Sequence, residues 1–370
     1  MLLSSRRAVG IDLGATGIRA VEVSLRGQGP EVIRAAEVEL PPGALDHGAV
    51  RDPAVVSKAI RRLWRRGRFS TRRAVFGVPA VLTRQMDLPW MEPEDFRSAL
   101  RYQVQDALPV DVRTVELDYS LLETRGATPS GTPETSRILL VATATEAVRD
   151  TAKALRKGGV RPIAADASAF ALLRTALNAD PDPRPAMLVD LGADHLTVVI
   201  HAGGTPLLIR SVGTVGGRAA TTALQEALGM TEEAAELRKM TVGLKAPAPV
   251  LTPIAESSVF TGLPSADRSE RDLDNERVVA ELGRWATTVV KEIQDSLDYL
   301  DTSGVGTQVA RITLTGRVSA MPGLAERIET QVRKPVDILA PFAGLSLAPR
   351  VQRHLPPDGR YTCALGLALP

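Results

Sequence analysis

AVGIDLGATGIRAVEV (residues 8–23) and AMLVDLGADHLTVVI (residues 186–200) are two versions of one pattern, and their match decides how this chain reads. Laid over each other they pair Ile11 with Val189, Asp12 with Asp190, Gly14 with Gly192 and Ile18 with Leu196, and the two Asp-Leu-Gly copies stand 178 residues apart. Each copy is an apolar strand of period two, a carboxylate at its end, a turn of small residues, and an apolar strand running back. The glycine after the carboxylate lets backbone N–H groups come close to a ligand. Two such hairpins facing one another would grip a polyphosphate. The carboxylates, being of like charge, do not bind phosphate themselves; they suit a Mg2+ held through its waters and an oriented attacking water. A lone Asp-Leu-Gly is an ordinary strand-end turn. The second copy in a matching strand context is what gives the pattern weight.

Outward from these hairpins the chain alternates strands and helices. Asp52-Pro53 starts a predicted helix over 52–66, with Ile60, Leu63 and Trp64 on its apolar face. Strands are predicted at 31–40, 74–78, 81–88, 115–123, 137–144 and 161–166, and helices at 93–107, 146–158 and 168–178. TRGATPSGTPETS (124–136) is built of turn formers and reads as an exposed loop. The breaker run NADPDPRP (178–185) sets a lobe boundary, giving a first lobe over 1–180 and a second over 181–370. Helices at 216–228, 231–243 and 276–301, a strand at 311–315, a helix from Pro322 and a short C-terminal helix complete the second. The Pro- and Ser-rich stretch 246–272 reads as a flexible loop. The succession is α/β throughout.

Two further edges point into the same cleft. Gly216-Gly217 opens a helix, where backbone donors and the helix dipole favour an anion or ribose hydroxyls, or where the glycines simply make a cap turn. Leu314-Thr315-Gly316 ends a strand before Pro322-Gly323-Leu324 begins a helix.

Length and composition bound the rest. With 370 residues the chain has room for two or three structural units at about 150 residues each. Its 44% hydrophobic and 24% charged residues are those of a folded protein, and with 4% aromatics the cores must be aliphatic. A net charge of +2 gives no global field for a nucleic-acid binder, so no nucleic acid is expected. One cysteine, Cys363, and four scattered histidines offer neither a disulfide nor a metal cluster, which fits a reducing, cytoplasmic setting. No run approaches about 18 apolar residues, so a soluble protein beside a membrane is expected. Arg61 to Arg73 holds seven arginines in thirteen residues, with Trp64 and Phe69 interleaved. It reads either as the solvated face of an amphipathic helix, the preferred reading, or as a contact for anionic lipid or nucleic acid.

Taken together and in this order, the motifs resemble the actin-like ATPase superfamily over nearly the whole chain. The resemblance implies a two-lobed actin-like fold of duplicated sheet-and-helix domains, with a small α/β subdomain inserted at about 78–165. It makes Asp12, Gly14, Ala15, Thr16, Gly17 and Arg19 the first phosphate loop and Asp190, Gly192 and Ala193 the second. Asp12 and Asp190 become the catalytic and metal-holding pair for ATP and Mg2+. Glu236 and Lys239, after Gly216-Gly217, would reach ribose and base, and Gly316 and Arg317 would form the adenosine loop. The segment 78–119, with Leu88-Pro89, Leu108-Pro109 and Asp118-Tyr119, resembles the type IV pilus assembly PilM family. That family resemblance implies a cytoplasmic ATP-binding scaffold at the inner face of the cell membrane, with at most slow hydrolysis. Its partners would be the N-terminal peptide of a PilN-like membrane protein, docked near Leu88, Pro89, Leu108 and Pro109, and pilus motor ATPases.

Two departures bear on this expectation. Arg19 stands where the family has Lys, replacing a point donor by a planar fork. Gly316-Arg317-Val318-Ser319 stands where Gly-Gly-Gly-Ala is expected, and Arg317 either stacks on adenine or blocks the pocket. Two other readings stay open: a metabolic kinase with Asp194 as general base, and a nucleotide-free scaffold on the same fold.

Overall fold

The two Asp-Leu-Gly turns close β-hairpins that found two sheets of the same strand order. This is a computed structural model, and it describes residues 7–25, 29–46, 48–79, 81–126, 134–245, 270–302, 307–356 and 358–370. In the first sheet Arg7–Gly14 pairs antiparallel with Gly17–Ser24, which pairs antiparallel with Glu31–Glu39. On its other side Arg7–Gly14 runs parallel to Arg73–Val78, and that strand parallel to Arg161–Ala167. In the second sheet Ala186–Leu191 takes the same place: antiparallel to Leu196–Ala202, which pairs with Thr205–Val212, and parallel to Arg311–Thr315, which pairs with Val336–Ile338. The duplication is therefore one of topology as well as of motif. Asp12 sits opposite Arg19 in the first hairpin and Asp190 opposite Thr197 in the second.

Helices return the chain between the parallel strands, as right-handed crossovers require. Pro53–Gly67 does so in the first lobe; Asp52 caps it, its carboxylate accepting from the N–H groups of Ala54 and Val55. Val56, Ile60, Leu63 and Trp64 are buried against the sheet, with Trp64 Nε1 donating to the Thr71 carbonyl. In the second lobe Gly217–Leu228, Glu232–Thr241 and the long Glu270–Thr302 fill this place, burying Leu224, Val278, Leu282, Val289 and Ile293.

Between Arg73–Val78 and Arg161–Ala167 the first lobe carries an inserted three-stranded sheet in the order Leu82–Pro89, Thr135–Ala144, Val115–Arg125, with the helix Pro93–Gln103 on it. Its separate core joins Leu88, Phe96, Leu100, Val104, Leu108 and Ile138. The inserted unit is smaller than the expected 78–165. Thr145–Lys157 buries Ala152, Ala154 and Leu155 in the first lobe's own core, and Arg161–Ala167 is a strand of its main sheet.

The lobe boundary also differs from 1–180 and 181–370. Ser346–Leu347 pairs with Glu31 and Val32 of the first sheet, and the closing helix Thr362–Ala368, buried on all sides, packs on that sheet and on Ser168–Ala179. A Cβ at Gly366 would collide with the Ala171 carbonyl, and one at Gly10 with the Ala364 carbonyl, so glycine allows this close seating. A helix apolar all round must be buried all round, and the first lobe offers the pocket. The expected loop 246–272 lies, up to 269, outside the described residues, as do 127–133 of the expected loop 124–136.

Candidate functional site

A cleft of about 500 Å³ runs between the lobes. Asp12, Gly14, Ala15, Thr16 and Arg19 line it from the first lobe, and Asp190, Gly192, Ala193, Gly217, Glu236, Lys239, Gly316 and Arg317 from the second. Of the nucleotide-site residues read from the sequence, all but Gly17 and Gly216 therefore line one cleft. A cavity of this size suits a nucleotide-sized ligand.

At its floor the two strand-end carboxylates meet. Burial first, and then the charge of Asp12, push Asp190 up to about 7 against the pull of Arg19. Asp12 is likewise raised by burial, which outweighs Arg19 at 3.8 Å. Such a pair is stable when a cation shares the space, and costly without one.

Arg19, replacing the expected Lys, is buried and held in a chain of alternating charge: Asp12, Arg19, Glu37, Arg360, Asp358. Its guanidinium meets Glu37 Oε1 at 2.7 Å, while Arg360 Nη1 donates to Glu37 Oε2 at 3.0 Å and pairs with Asp358. Burial pushes Glu37 up, yet Arg19 and Arg360 together hold it below the usual carboxylate range. The Arg19 Nε has no hydrogen-bond partner. A side chain at Gly14 would press on Arg19 Nη1 at 3.0 Å, so the first loop needs its glycine to lie over the guanidinium.

The second loop is braced from the helix that follows. Gly217 N–H donates to Gly192 O at 2.8 Å and Arg218 N–H to Ala193 O at 2.9 Å. The helix start thus holds the loop instead of presenting those donors to an anion, which corrects the expectation for Gly216-Gly217. Gly192 N–H is likewise taken, by His195 O at 3.0 Å, so Gly192 contributes room and not a donor. The glycine pair is explained by packing: a Cβ at Gly216 would collide with the Ala193 carbonyl and one at Gly217 with Val318.

Lys239 is 2% exposed and its ammonium is fully used, donating to Gly217 O at 3.0 Å, Thr221 Oγ1 at 2.8 Å and Glu236 Oε2 at 2.5 Å. Burial lowers its pKa and Glu236 works against this. Lys239 therefore fixes Glu236 from the buried side of the cleft wall. Glu236 stays on the cleft wall with Oε1 3.8 Å from Arg317 Nη2, and Arg317 is 44% exposed at the rim. Val318 and Ser319 turn inward; Ser319 Oγ donates to Gly316 O at 2.7 Å. Of the unexpected adenosine-loop side chains, only Arg317 is turned out toward solvent.

A family model for type IV pilus assembly protein PilM matches residues 10–260 and 266–370. The chain belongs to the PilM family. Its fold is that of the actin-like ATPases. The structure of a PilM–PilN type IV pilus biogenesis complex matches 98% of this chain and 97% of that one, with a TM-score of 0.78 and 24% identity. MreB5 of Spiroplasma citri, solved with AMPPNP bound, has a TM-score of 0.53 at 12% identity, covering 98% and 95% of the two chains. The ethanolamine utilization protein EutJ from Carboxydothermus hydrogenoformans has a TM-score of 0.52 at 15% identity, covering 100% and 91%. Among the described residues no helix is long and apolar enough to cross a membrane.

For a PilM-family chain the expected docking residues are placed unevenly. Leu88 is 5% and Leu108 9% exposed, both in the core of the inserted unit, while Pro89 and Pro109 are exposed. The two leucines are core residues of the inserted unit. One position beyond each Leu-Pro pair stands an exposed apolar side chain, Trp90 at 43% and Val110 at 43%. Sequence reading also missed Arg360 and Cys363 in the cleft lining, and Glu37 and Asp358, which pair with Arg19 and Arg360. Asp358-Gly359-Arg360, a turn directly before the closing apolar run, was the signal available.

Proposed function

We propose that this PilM-family chain is an ATP-binding scaffold whose cleft state sets its hold on a peptide of a PilN-like membrane protein. The observation that carries the nucleotide half is the Asp12–Asp190 pair, raised in pKa at the floor of a nucleotide-sized cleft with glycine turns on both sides. These residues fit a Mg2+–ATP ligand. Asp12 and Asp190 hold the ion through its waters, and the ion would supply positive charge beside the phosphates. Arg19, with its Nε unpartnered, faces the phosphate side from beneath Gly14. Glu236, fixed by Lys239, accepts from ribose hydroxyls, and Arg317 covers the base at the rim. Asp194, the general base of the kinase reading, is paired with Arg218 at 3.1 Å, so that residue is not free to take a proton from an acceptor hydroxyl.

The partner half rests on the inserted unit. Between Leu82 and Ala144 it carries ten acidic and six basic residues, with Trp90 and Val110 exposed beside its Leu-Pro turns. The cytoplasmic tail of a membrane-spanning protein is rich in Lys and Arg, so charge favours its approach, and apolar anchors give a short peptide its hold. The test titrates ATP with Mg2+ into the protein and into Asp12→Ala, then the synthetic tail peptide into the protein and into Trp90→Asp/Val110→Asp. Binding lost in each matching variant supports the reading. Absence of both ligands from the unmodified protein would overturn it.

A further inference from the structure

The arginine-rich run lies against a second basic helix. Pro53–Gly67 packs beside Thr145–Lys157, and two backbone contacts tie them: Arg61 Nη1 donates to Lys157 O at 2.7 Å and Arg72 Nη1 to Gly159 O at 2.9 Å. From Lys58 to Arg73 there are eight cations and no carboxylate. From Arg149 to Arg161 there are five cations and one carboxylate, Asp150, which pairs with Lys153. All thirteen side chains are exposed. In a chain of net charge +2 these two stretches together carry a surplus of twelve positive charges, set beside one exposed carboxylate, Glu146, so the remainder of the chain is net acidic.

The apolar residues of the run play no part in that face. Leu63 and Trp64 are buried, and Trp64 stacks on Phe69 at 4.9 Å between ring centres. A face with no exposed aromatic among its cations lacks the stacking platform of single-stranded nucleic-acid binders. It also lacks the apolar wedge of an inserting amphipathic helix. What it offers is an array of guanidinium and ammonium groups against an extended anionic surface.

We infer that this face docks on the anionic phospholipid headgroups of a membrane, by charge alone and without insertion. The choice of a membrane over another polyanion rests on the proposed partnership with a membrane protein, which brings the chain to that surface. The net acidic remainder is repelled by the same lipids, so the chain meets the membrane in one orientation. Because the contact is exposed, salt must screen it: the Debye length falls from about 8 Å at 0.15 M to about 3 Å at 1 M.

The experiment co-sediments the full chain with vesicles of phosphatidylcholine alone or with 30% phosphatidylglycerol, at 50 mM and 500 mM NaCl. Binding is expected to the phosphatidylglycerol vesicles at low salt, with at least tenfold loss at high salt and none to phosphatidylcholine. Lys58→Glu/Arg62→Glu/Arg65→Glu/Arg156→Glu should weaken it at least tenfold, while the four positions as Lys should retain it. Thermal melting of both variants shows whether they fold, and reversal of four exposed charges on the long helix of the second lobe should leave vesicle binding unchanged. No binding at 50 mM NaCl, equal binding to both vesicle types, or tighter binding to single-stranded RNA than to phosphatidylglycerol vesicles of equal phosphate at the same salt would overturn the inference. The tail-peptide and ATP titrations on the same protein report separately, so vesicle binding can fail while the proposed function stands.

Discussion

Asp190 is held at a pKa of about 7 by burial and by the charge of Asp12, its counterpart in the duplicated hairpin. In the unfolded chain its value is near 3.8, so ionising it costs stability only in the fold. That cost is absent below pH 4, grows as pH rises toward 7 and is constant above. Asp190→Asn should therefore melt a few degrees higher than the parent at pH 8 without nucleotide, and the two should converge at pH 4. A parent that is equally stable relative to the variant at both pH values would contradict the paired-carboxylate picture.

The same relationship predicts proton release on ligand binding. A Mg2+ beside Asp190 favours its ionised form and lowers its pKa, so Mg2+–ATP should bind more tightly as pH rises from 6 to 8 and should expel part of a proton near pH 6.5. Calorimetry in two buffers of different ionisation enthalpy measures the number released. Asp190→Asn should release none.

Lys239 predicts a large stability effect from a residue outside the sheets. Its ammonium donates to three acceptors at 2% exposure, so Lys239→Met leaves Glu236 without its closest cation and takes one donor each from Gly217 O and Thr221 Oγ1. Breaking such a buried pair costs about 3 kcal/mol, which urea unfolding can resolve. Nucleotide affinity should fall with it, since Glu236 loses its orientation.

Glycine separates packing from propensity. Gly216→Ala collides with the Ala193 carbonyl and should displace the second loop, costing about 2 kcal/mol and more than tenfold in ATP affinity. Gly283, inside Glu270–Thr302, has nothing within 4 Å of its would-be Cβ. Gly283→Ala should stabilise by about 0.5–1 kcal/mol and leave ligand binding unchanged.

How much of this was legible follows from what each segment's pattern encodes. The hairpins at Asp12 and Asp190 were readable because period-two alternation, a carboxylate and a glycine recur together, and the crossover helices because their apolar spacing has one face. The closing helix was readable as a helix and not as a member of the first lobe, since a run that is apolar all round carries no direction. Arg360 and Glu37 lie 323 residues apart, and nothing local to either marks the pairing. Leu88 and Leu108 were misread because Leu-Pro marks the end of an element without saying which face the leucine takes; in the fold both fill the inserted core. Lys239 was read as a ligand contact for want of the helix packing that buries it.

The inserted unit is also tied to the second lobe, and this predicts coupling between the two proposed ligands. Thr83 Oγ1 donates to Ile209 O at 2.8 Å and Gln85 Nε2 to Leu207 O at 2.5 Å, joining the inserted strand Leu82–Pro89 to the edge strand Thr205–Val212. That edge strand neighbours Leu196–Ala202, the return strand of the second phosphate hairpin. A closing movement of the second lobe on nucleotide would therefore act on the proposed partner-binding unit through these two side chains. Coupling between sites is reciprocal and is typically about 1–3 kcal/mol, so ATP should change the tail peptide's Kd by roughly fivefold or more, and the peptide should change the Kd of ATP by the same factor. Thr83→Val/Gln85→Leu removes both hydrogen bonds while keeping side-chain size. In that variant each ligand should bind alone with near-parent affinity, and the factor should shrink toward one. Measuring peptide binding by fluorescence anisotropy, with and without saturating Mg2+–ATP, on parent and variant gives all four affinities; an undiminished factor in the variant would place the coupling elsewhere, such as the buried contact between Thr315 and Thr362, whose hydroxyls meet at 2.7 Å.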